Sequence, residues 1–297
     1  KAQDNLTLLP GQTVHGISHR DQHLVLRIGP EDGPQETVEP RLLVAADGRR
    51  SACRDMLRIG IVKSQAREMA LVFNTDHAIE HHGVSYEFHG PLAEPSDVGF
   101  GQVTTIPLPG DRSAINLVGD EPAMQQLTTL QEAELRTLVE HATRGRLGKI
   151  KRAGKPVGYP IRPFRAQPLS AARAVLVGEA AHALAPIGAQ GLNTTLADIA
   201  VLIDLMGPSG RPGGRADPGR LEVTDGYNKA RRLDVMGRSR AISLLSGMVH
   251  RRNPVIDQMR RLGLRGLGAI GPLRRQLMAQ GMKPLGELPS LMRPLGQ

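Results

Sequence analysis

The stretch "VLVGEAAHALAPIGAQGLNTTLADIAVLIDL", residues 175–205, sets Gly178, Glu179, His182, Pro186, Gly188, Gln190, Gly191 and Asn193 between two apolar runs. A plain strand-to-helix connection needs little more than a glycine and a capping residue. Glycines here let main chain approach a ligand with no Cβ in the way. Gly191, Leu192 and Asn193 would open a helix running to about Met206. A helix start offers unpaired N–H groups and a positive dipole end, which suit an anion or a developing negative charge. Glu179, at the strand end, is placed to accept hydrogen bonds from hydroxyl groups. The competing structural reading is a helix start capped within a glycine-rich loop.

A second stretch, "LLVAADGRRSACR" (residues 42–54), is again a strand that ends in a turn, Asp47-Gly48, followed by two arginines, Ser51 and Arg54. Other reactive side chains read as structural. A histidine beside a buried turn, such as His182, more often makes one hydrogen bond than does chemistry. His77, His81, His82 and His89 lack Cys or carboxylate partners at metal-ligand spacing, so no metal is expected. Cys53 reads as a small buried residue, and spacing supports no Ser-His-Asp triad.

The elements that must position these residues follow from pattern. "HLVLRIG" (23–29) and "RLLVAADG" (41–48) read as strands. Four strand-like runs, "ALVFNT", "GVSYEFHG", "GQVTTIPLPG" and "RSAINLVGD", follow one another between residues 70 and 120, separated by turn residues. They predict an antiparallel sheet. A helix is expected over 130–144, then extended chain through "PVGYPIRPF". Residues 207–220 form a Gly/Pro-rich loop, and helices are expected over 222–250, 254–268 and 272–281, the last two beginning at Pro254 and Pro272.

The chain of 297 residues, 40% hydrophobic and 23% charged, can bury a large core and is expected to form two lobes. No window of about 18 uninterrupted apolar residues occurs. The single cysteine excludes an internal disulfide framework and fits a reducing compartment. Four Phe, three Tyr and no Trp argue against aromatic stacking on single-stranded nucleic acid. The net charge of +9 is unevenly placed: residues 211–297 hold 17 Lys and Arg against 6 Asp and Glu, while residues 1–210 hold 21 against 23. The whole excess is C-terminal. Arg251, Arg252, Arg260, Arg261, Arg265, Arg274 and Arg275 are interleaved with Leu262, Leu264, Leu267, Ile270, Leu273, Leu277 and Met278, a pattern that fits an anionic surface or a solvated helical face.

Together the two glycine-bearing stretches resemble the paired fingerprints of the flavin-dependent aromatic hydroxylases, the single-component FAD monooxygenases. "GEAAHALAPIGAQGLN", "GVSYEFHG", "IPLPGDRSAINLV", "YNKARRLDV" and "LRGLGAIGPLRRQLM" are similar to segments of the ubiquinone-biosynthesis hydroxylases within that group. The resemblance spans nearly the whole chain. It implies that Gly178 and Glu179 meet the ribityl chain of FAD, Glu179 being one methylene longer than the usual Asp. Gly188, Ala189, Gln190, Gly191, Leu192 and Asn193 would face the pyrimidine edge of the flavin, with Pro186 beside the ring. Asp47, Gly48 and Arg54 would serve the pyrophosphate region and NAD(P)H. Two positions depart from the family pattern: Ala45 replaces a common glycine, and Thr194-Thr195 replaces a pair that usually ends in glycine.

Family members begin with a βαβ unit whose G-x-G-x-x-G cradles the ADP half of FAD. The only such spacing here, Gly266, Gly268 and Gly271, follows basic helix-like sequence and precedes Pro272, so it reads as a chance match. The expected fold class is therefore α/β (α+β): a truncated FAD-binding lobe over 1–67 and 160–215, an antiparallel-sheet substrate domain over 68–159, and a basic helical C-terminal region over 216–297. The resemblance further implies a monooxygenase that uses NAD(P)H and dioxygen to hydroxylate a polyprenylated phenol. It would be cytoplasmic, peripheral at the inner face of the membrane, and bind no nucleic acid. A homodimer or a biosynthetic complex is the expected assembly. A non-catalytic remnant serving as an interaction module, and a basic lipid- or nucleic-acid-binding protein, are the alternatives.

Overall fold

The computed structural model describes residues 5–65, 67–89, 100–186, 190–207, 216–250 and 288–293, with side chains at 100 and 243–250 excepted. The chain divides into two compact units, one from Lys1–Ser64 and Pro163–Ile242, the other centred on Gln65–Arg162.

The first unit opens with an antiparallel meander, β1 (Thr13–His19), β2 (Leu24–Gly29) and β3 (Glu36–Val38). In β2, Leu24, Leu26 and Ile28 alternate inward, the period expected of a half-buried strand. Strand β4 (Leu43–Ala45) then leads through a turn into the short helix α1 (Ala52–Met56) and β5 (Gly60–Lys63).

The second unit is one six-stranded sheet backed by two helices. Its elements are β6 (Glu68–His77), β7 (Tyr86–His89), β8 (Phe100–Leu108), β9 (Arg112–Asp120), α2 (Glu121–Leu127), α3 (Glu132–Ala142), β10 (Ile150–Ala153) and β11 (Val157–Ile161). The order is β10-β6-β9-β8-β7, with β11 also on β6 and every pairing antiparallel. One sheet face supplies Leu71, Phe73, Val103, Ile115 and Leu117 to the core; the helices supply Met124, Leu127, Leu135 and Val139. Each such side chain, fully withdrawn from water, contributes about 1.5–3 kcal/mol before entropy is counted. Helix α3 begins where Glu134 accepts the Gln131 N–H at 2.8 Å, a capping-box contact. Helix α2 is absent from the sequence reading; Pro122 at its first turn and the Met124/Leu127 pair were its signals.

Returning to the first unit, the chain forms β12 (Phe164–Gln167), β13 (Ser170–Ala171), β14 (Ala174–Leu176), β15 (His182–Ala183), α4 (Gln190–Met206) and α5 (Leu221–His250). All three residues of β14 are fully buried. It pairs with β13 on one side and, in parallel, with β4 on the other. Tyr227 of α5, itself fully buried, donates its hydroxyl to the Leu176 carbonyl at 2.7 Å. The helices expected over 254–268 and 272–281, the Gly266/Gly268/Gly271 spacing, and most of the 207–220 loop lie outside the described residues.

Candidate functional site

The two glycine-bearing stretches meet because β4 and β14 run side by side. Ala45 pairs with Leu176, and Val177 N–H donates to the Ala45 carbonyl at 2.9 Å, so both strands end at the same level. Their following turns, Asp47-Gly48 and Gly178-Glu179, therefore share the carboxyl end of a parallel pair, where open α/β sheets bind ligands.

Each turn is locally determined. Gly178 sits at φ +61 and Gly48 at φ +81, both in the left-handed region that favours glycine. A Cβ on Gly178 would lie 3.2 Å from the Thr195 methyl of α4. That strand-end turn and the helix thus pack with almost no gap. Asp47 spends both carboxylate oxygens on its own loop: Ser51 Oγ donates to one at 2.5 Å and Cys53 N–H to the other at 3.0 Å. Ser51 in turn accepts the Arg54 N–H at 2.9 Å, capping α1. Burial pushes the Asp47 carboxyl up, but the Ser51 and Cys53 hydrogen bonds outweigh it and hold it below the ordinary carboxylate range. Cys53, 4% exposed, is pushed up to about 12 by burial and then by the Asp47 charge. It is a packed thiol at neutral pH.

Arg54, 5% exposed, lies 5.1 Å over the Phe164 ring and donates to the Arg49 carbonyl at 3.3 Å and the Ala180 carbonyl at 3.1 Å. It ties the first stretch to the second. Arg49 also reaches Glu179 at 3.6 Å, an exposed pair worth at most about 1 kcal/mol that leaves the Glu179 carboxylate open to other donors.

The described part of helix α4 runs from Gln190, and Gly191, Leu192 and Asn193 lie in its first turn. Gly191 is exposed, and among the described residues a Cβ added to it would meet no atom within 4 Å outside its own helix backbone. Pro186 is half-buried just beyond β15; Gly188 and Ala189 lie outside the described residues. Thr194, at one of the two departures, is fully buried and donates to the Gln190 carbonyl at 2.7 Å. Ala45, at the other, packs in the core at 2% exposure.

His182 makes one strong bond, from Nε2 to Asp198 at 2.7 Å, and the same carboxylate oxygen accepts Gly178 N–H at 3.1 Å. Asp198, with Arg231 on its other oxygen at 2.7 Å, was not singled out in the sequence. An acid with no exposure inside "TTLADIAVLIDL" must have partners, and that was the available signal. The other histidines go to separate partners: His77 to the Ile79 carbonyl and the Ser113 hydroxyl, His81 to the Leu108 carbonyl, His89 to Glu87. Among the described residues no group of three or more His, Cys, Asp or Glu could hold a metal ion.

Comparison with known proteins decides the lineage. Residues 5–236 match the family described as FAD binding domain. The chain belongs to that family. The ubiquinone hydroxylase UbiL of Rhodospirillum rubrum is 31% identical over 261 residues, covering 87% of this chain and 58% of that protein. The 3-demethoxyubiquinol 3-hydroxylase of Escherichia coli is 26% identical over 281 residues, 94% of this chain and 67% of that one. Among solved structures, the anhydrotetracycline hydroxylase OxyS of Streptomyces rimosus matches the fold with a TM-score of 0.66 at 20% identity, covering 94% of this chain and 53% of that one. This FAD-binding-domain chain thus spans 58% of the length of the first of these relatives.

The residues present fit the flavin and ribityl half of FAD. An exposed carboxylate at a parallel strand end, the first described turn of α4, and a glycine whose Cβ direction is open among the described residues form a cradle of the right chemistry.

Proposed function

We propose that this chain is the flavin-edge and substrate-sheet part of an FAD- and NAD(P)H-dependent monooxygenase that hydroxylates a polyprenylated phenol in ubiquinone biosynthesis. The observation that carries the reading is the parallel pairing of β4 with β14, which sets Asp47-Gly48 and Gly178-Glu179 together beside the same sheet edge. Family membership and the 31% identity to a ubiquinone hydroxylase support the chemistry.

In this reading Glu179 accepts hydrogen bonds from the ribityl hydroxyls. The main chain of Gln190, Gly191, Leu192 and Asn193, with Gly188 and Ala189, donates to the pyrimidine edge, where the helix dipole favours negative charge. Pro186 lines the ring. Asp47 acts by holding its loop, since both its oxygens are engaged there, while Arg54 clamps that loop to the Ala180 carbonyl. Gly48 gives the loop its left-handed turn. Bound FAD supplies the acceptor for the nicotinamide hydride and the site of dioxygen activation. The antiparallel sheet of the second unit carries the substrate ring. A polyprenyl tail partitions into lipid, so the reading includes peripheral contact with the inner face of the membrane.

The test is an absorbance spectrum with turnover. The 297-residue chain alone is expected to hold FAD weakly or not at all, since the sequence given has no strand-borne G-x-G-x-x-G for the ADP half. Joined to such a βαβ unit, it is expected to retain yellow flavin through gel filtration and to incorporate one atom of labelled dioxygen into a prenylated phenol, dependent on NAD(P)H. A joined protein that folds yet remains colourless would leave the non-catalytic remnant as the reading.

A further inference from the structure

A charged relay runs beneath the flavin cradle. From α5, Arg231, Asp234 and Arg238 project on one helical face at spacings of three and four residues, with exposures of 1%, 0% and 10%. Arg231 Nε donates to Asp198 at 2.7 Å, its second nitrogen to Asp234 at 2.6 Å and its third to the Thr194 carbonyl at 3.3 Å. Arg238 Nε donates to Asp234 at 3.0 Å, and its terminal nitrogen reaches the Gln190 side-chain oxygen at 2.5 Å. At the other end Asp198 holds Gly178 N–H and His182. One network therefore grips both the strand-end turn that carries Glu179 and the first residue of α4.

Two arginines face two aspartates in this network. Burial works against the charge on Arg231, and the two carboxylates more than restore it. Buried pairs of this kind are poor sources of net stability, since the desolvation of each ion offsets its attraction. Their use is geometric: the planar guanidinium fork and a carboxylate fix orientation as an apolar contact does not. The group so oriented at the far end is Gln190, the residue that opens α4.

We propose that Arg238, backed by Asp234, Arg231 and Asp198, is a positioning residue for the flavin edge: through Gln190 it fixes where the first-turn N–H groups of α4 point. The consequence is selective. A helix start held in place stabilises the negatively charged reduced ring more than the neutral oxidised one, so the relay sets the preference for reduced flavin. The flavin half of this inference rests on the function proposed above.

Two variants test it without breaking the buried charge balance. Gln190→Leu leaves all four charges paired, and Arg238→Lys keeps the charge while losing the fork. The first readout needs no flavin: amide hydrogen exchange of the 297-residue chain. Both variants are expected to raise exchange over residues 190–198 by about tenfold, the size of one charge-assisted hydrogen bond, with residues 200–206 unchanged. The double variant is expected to be no worse than the singles, because both cut one link. The second readout, on the chain joined to a G-x-G-x-x-G βαβ unit, is the ratio of affinities for oxidised and reduced FAD by titration, expected to shift about tenfold against the reduced form. Unchanged exchange at 190–198 in both variants overturns the relay. Altered exchange with an unchanged affinity ratio overturns its link to the flavin edge. A protein that, joined to a G-x-G-x-x-G βαβ unit, binds no FAD in either redox state, with altered exchange, overturns the flavin reading itself and is told apart by the first readout.

Discussion

Gly191 has open space where its side chain would be: among the described residues, no atom outside its own helix backbone lies within 4 Å of an added Cβ. An added Cβ there meets no side chain among the described residues. Gly191→Val should therefore leave the fold within about 0.5 kcal/mol of its stability, the size of a propensity change at a helix end. In the flavin-binding form its affinity for FAD should fall by more than about tenfold, since the methyls occupy the approach to the helix N–H groups. Flavin fluorescence quenching and a thermal melt read the two effects separately. Equal loss of both would make the glycine structural. Cys53 shows the opposite, a side chain with no room. Its thiol stays protonated in the fold toward about 12, whereas the unfolded chain ionises near 9.0. The raised folded value means the contribution is fully present below 9.0 and is lost as pH climbs through that window toward 12. Denaturant midpoints should accordingly drop more steeply for the native chain than for Cys53→Ala over that alkaline range. Parallel curves would show that the thiol ionises freely in the folded state. The motif glycines were legible because their density exceeds what a connection requires. Arg231 and Arg238 were not, because their partners Asp198 and Gln190 lie 33 and 48 residues away and charge alone does not name a partner.

Elements with a strict period declare themselves, and short ones do not. The alternation in "ALVFNT" and "RSAINLVGD" follows from one sheet face meeting α2 and α3, so β6 and β9 could be read from pattern. Strand β14 has three residues and β13 two; only the sheet they join makes them strands. Helix α2 hid behind Asp120 and Pro122, which read equally as a turn. Helix α5 was legible as a helix, but the reason one face carries Tyr227, Arg231 and Asp234 was not, because their partners Leu176 and Asp198 belong to other elements. The cradle thus depends on long-range supports that no local pattern encodes. The same holds for Arg173, which at φ +57 binds Asp217 through two nitrogens at 3.0 and 2.6 Å. The Arg173 hydrogen bonds hold the Asp217 carboxyl below its usual range and anchor the approach to α5 beside β14.

At the scale of the molecule, the feature that composition shows is the placing of charge, of which the described fold engages Arg231 and Arg238 in buried pairs. Residues 211–297 carry 17 cations against 6 anions, while the sheet and cradle before them are close to neutral at 21 against 23. No helix among the described residues is long and apolar enough to cross a membrane. The polyprenylated phenol proposed above as substrate would be held in lipid, so an enzyme acting on it would gain from residence at the bilayer surface. Each cation near an anionic leaflet contributes about 1 kcal/mol, and the field decays within about 8 Å at physiological salt. An excess of this size is enough for reversible docking and too little for permanent insertion. The 297-residue chain is accordingly expected to float with vesicles containing phosphatidylserine at low salt, to be released by high salt, and to ignore neutral vesicles. Substituting Arg260, Arg261, Arg274 and Arg275 by Gln should abolish the salt-sensitive fraction without changing the melting temperature. Flotation that is equal on anionic and neutral vesicles, and indifferent to salt, would leave these arginines as a solvated face and remove the electrostatic route to the membrane.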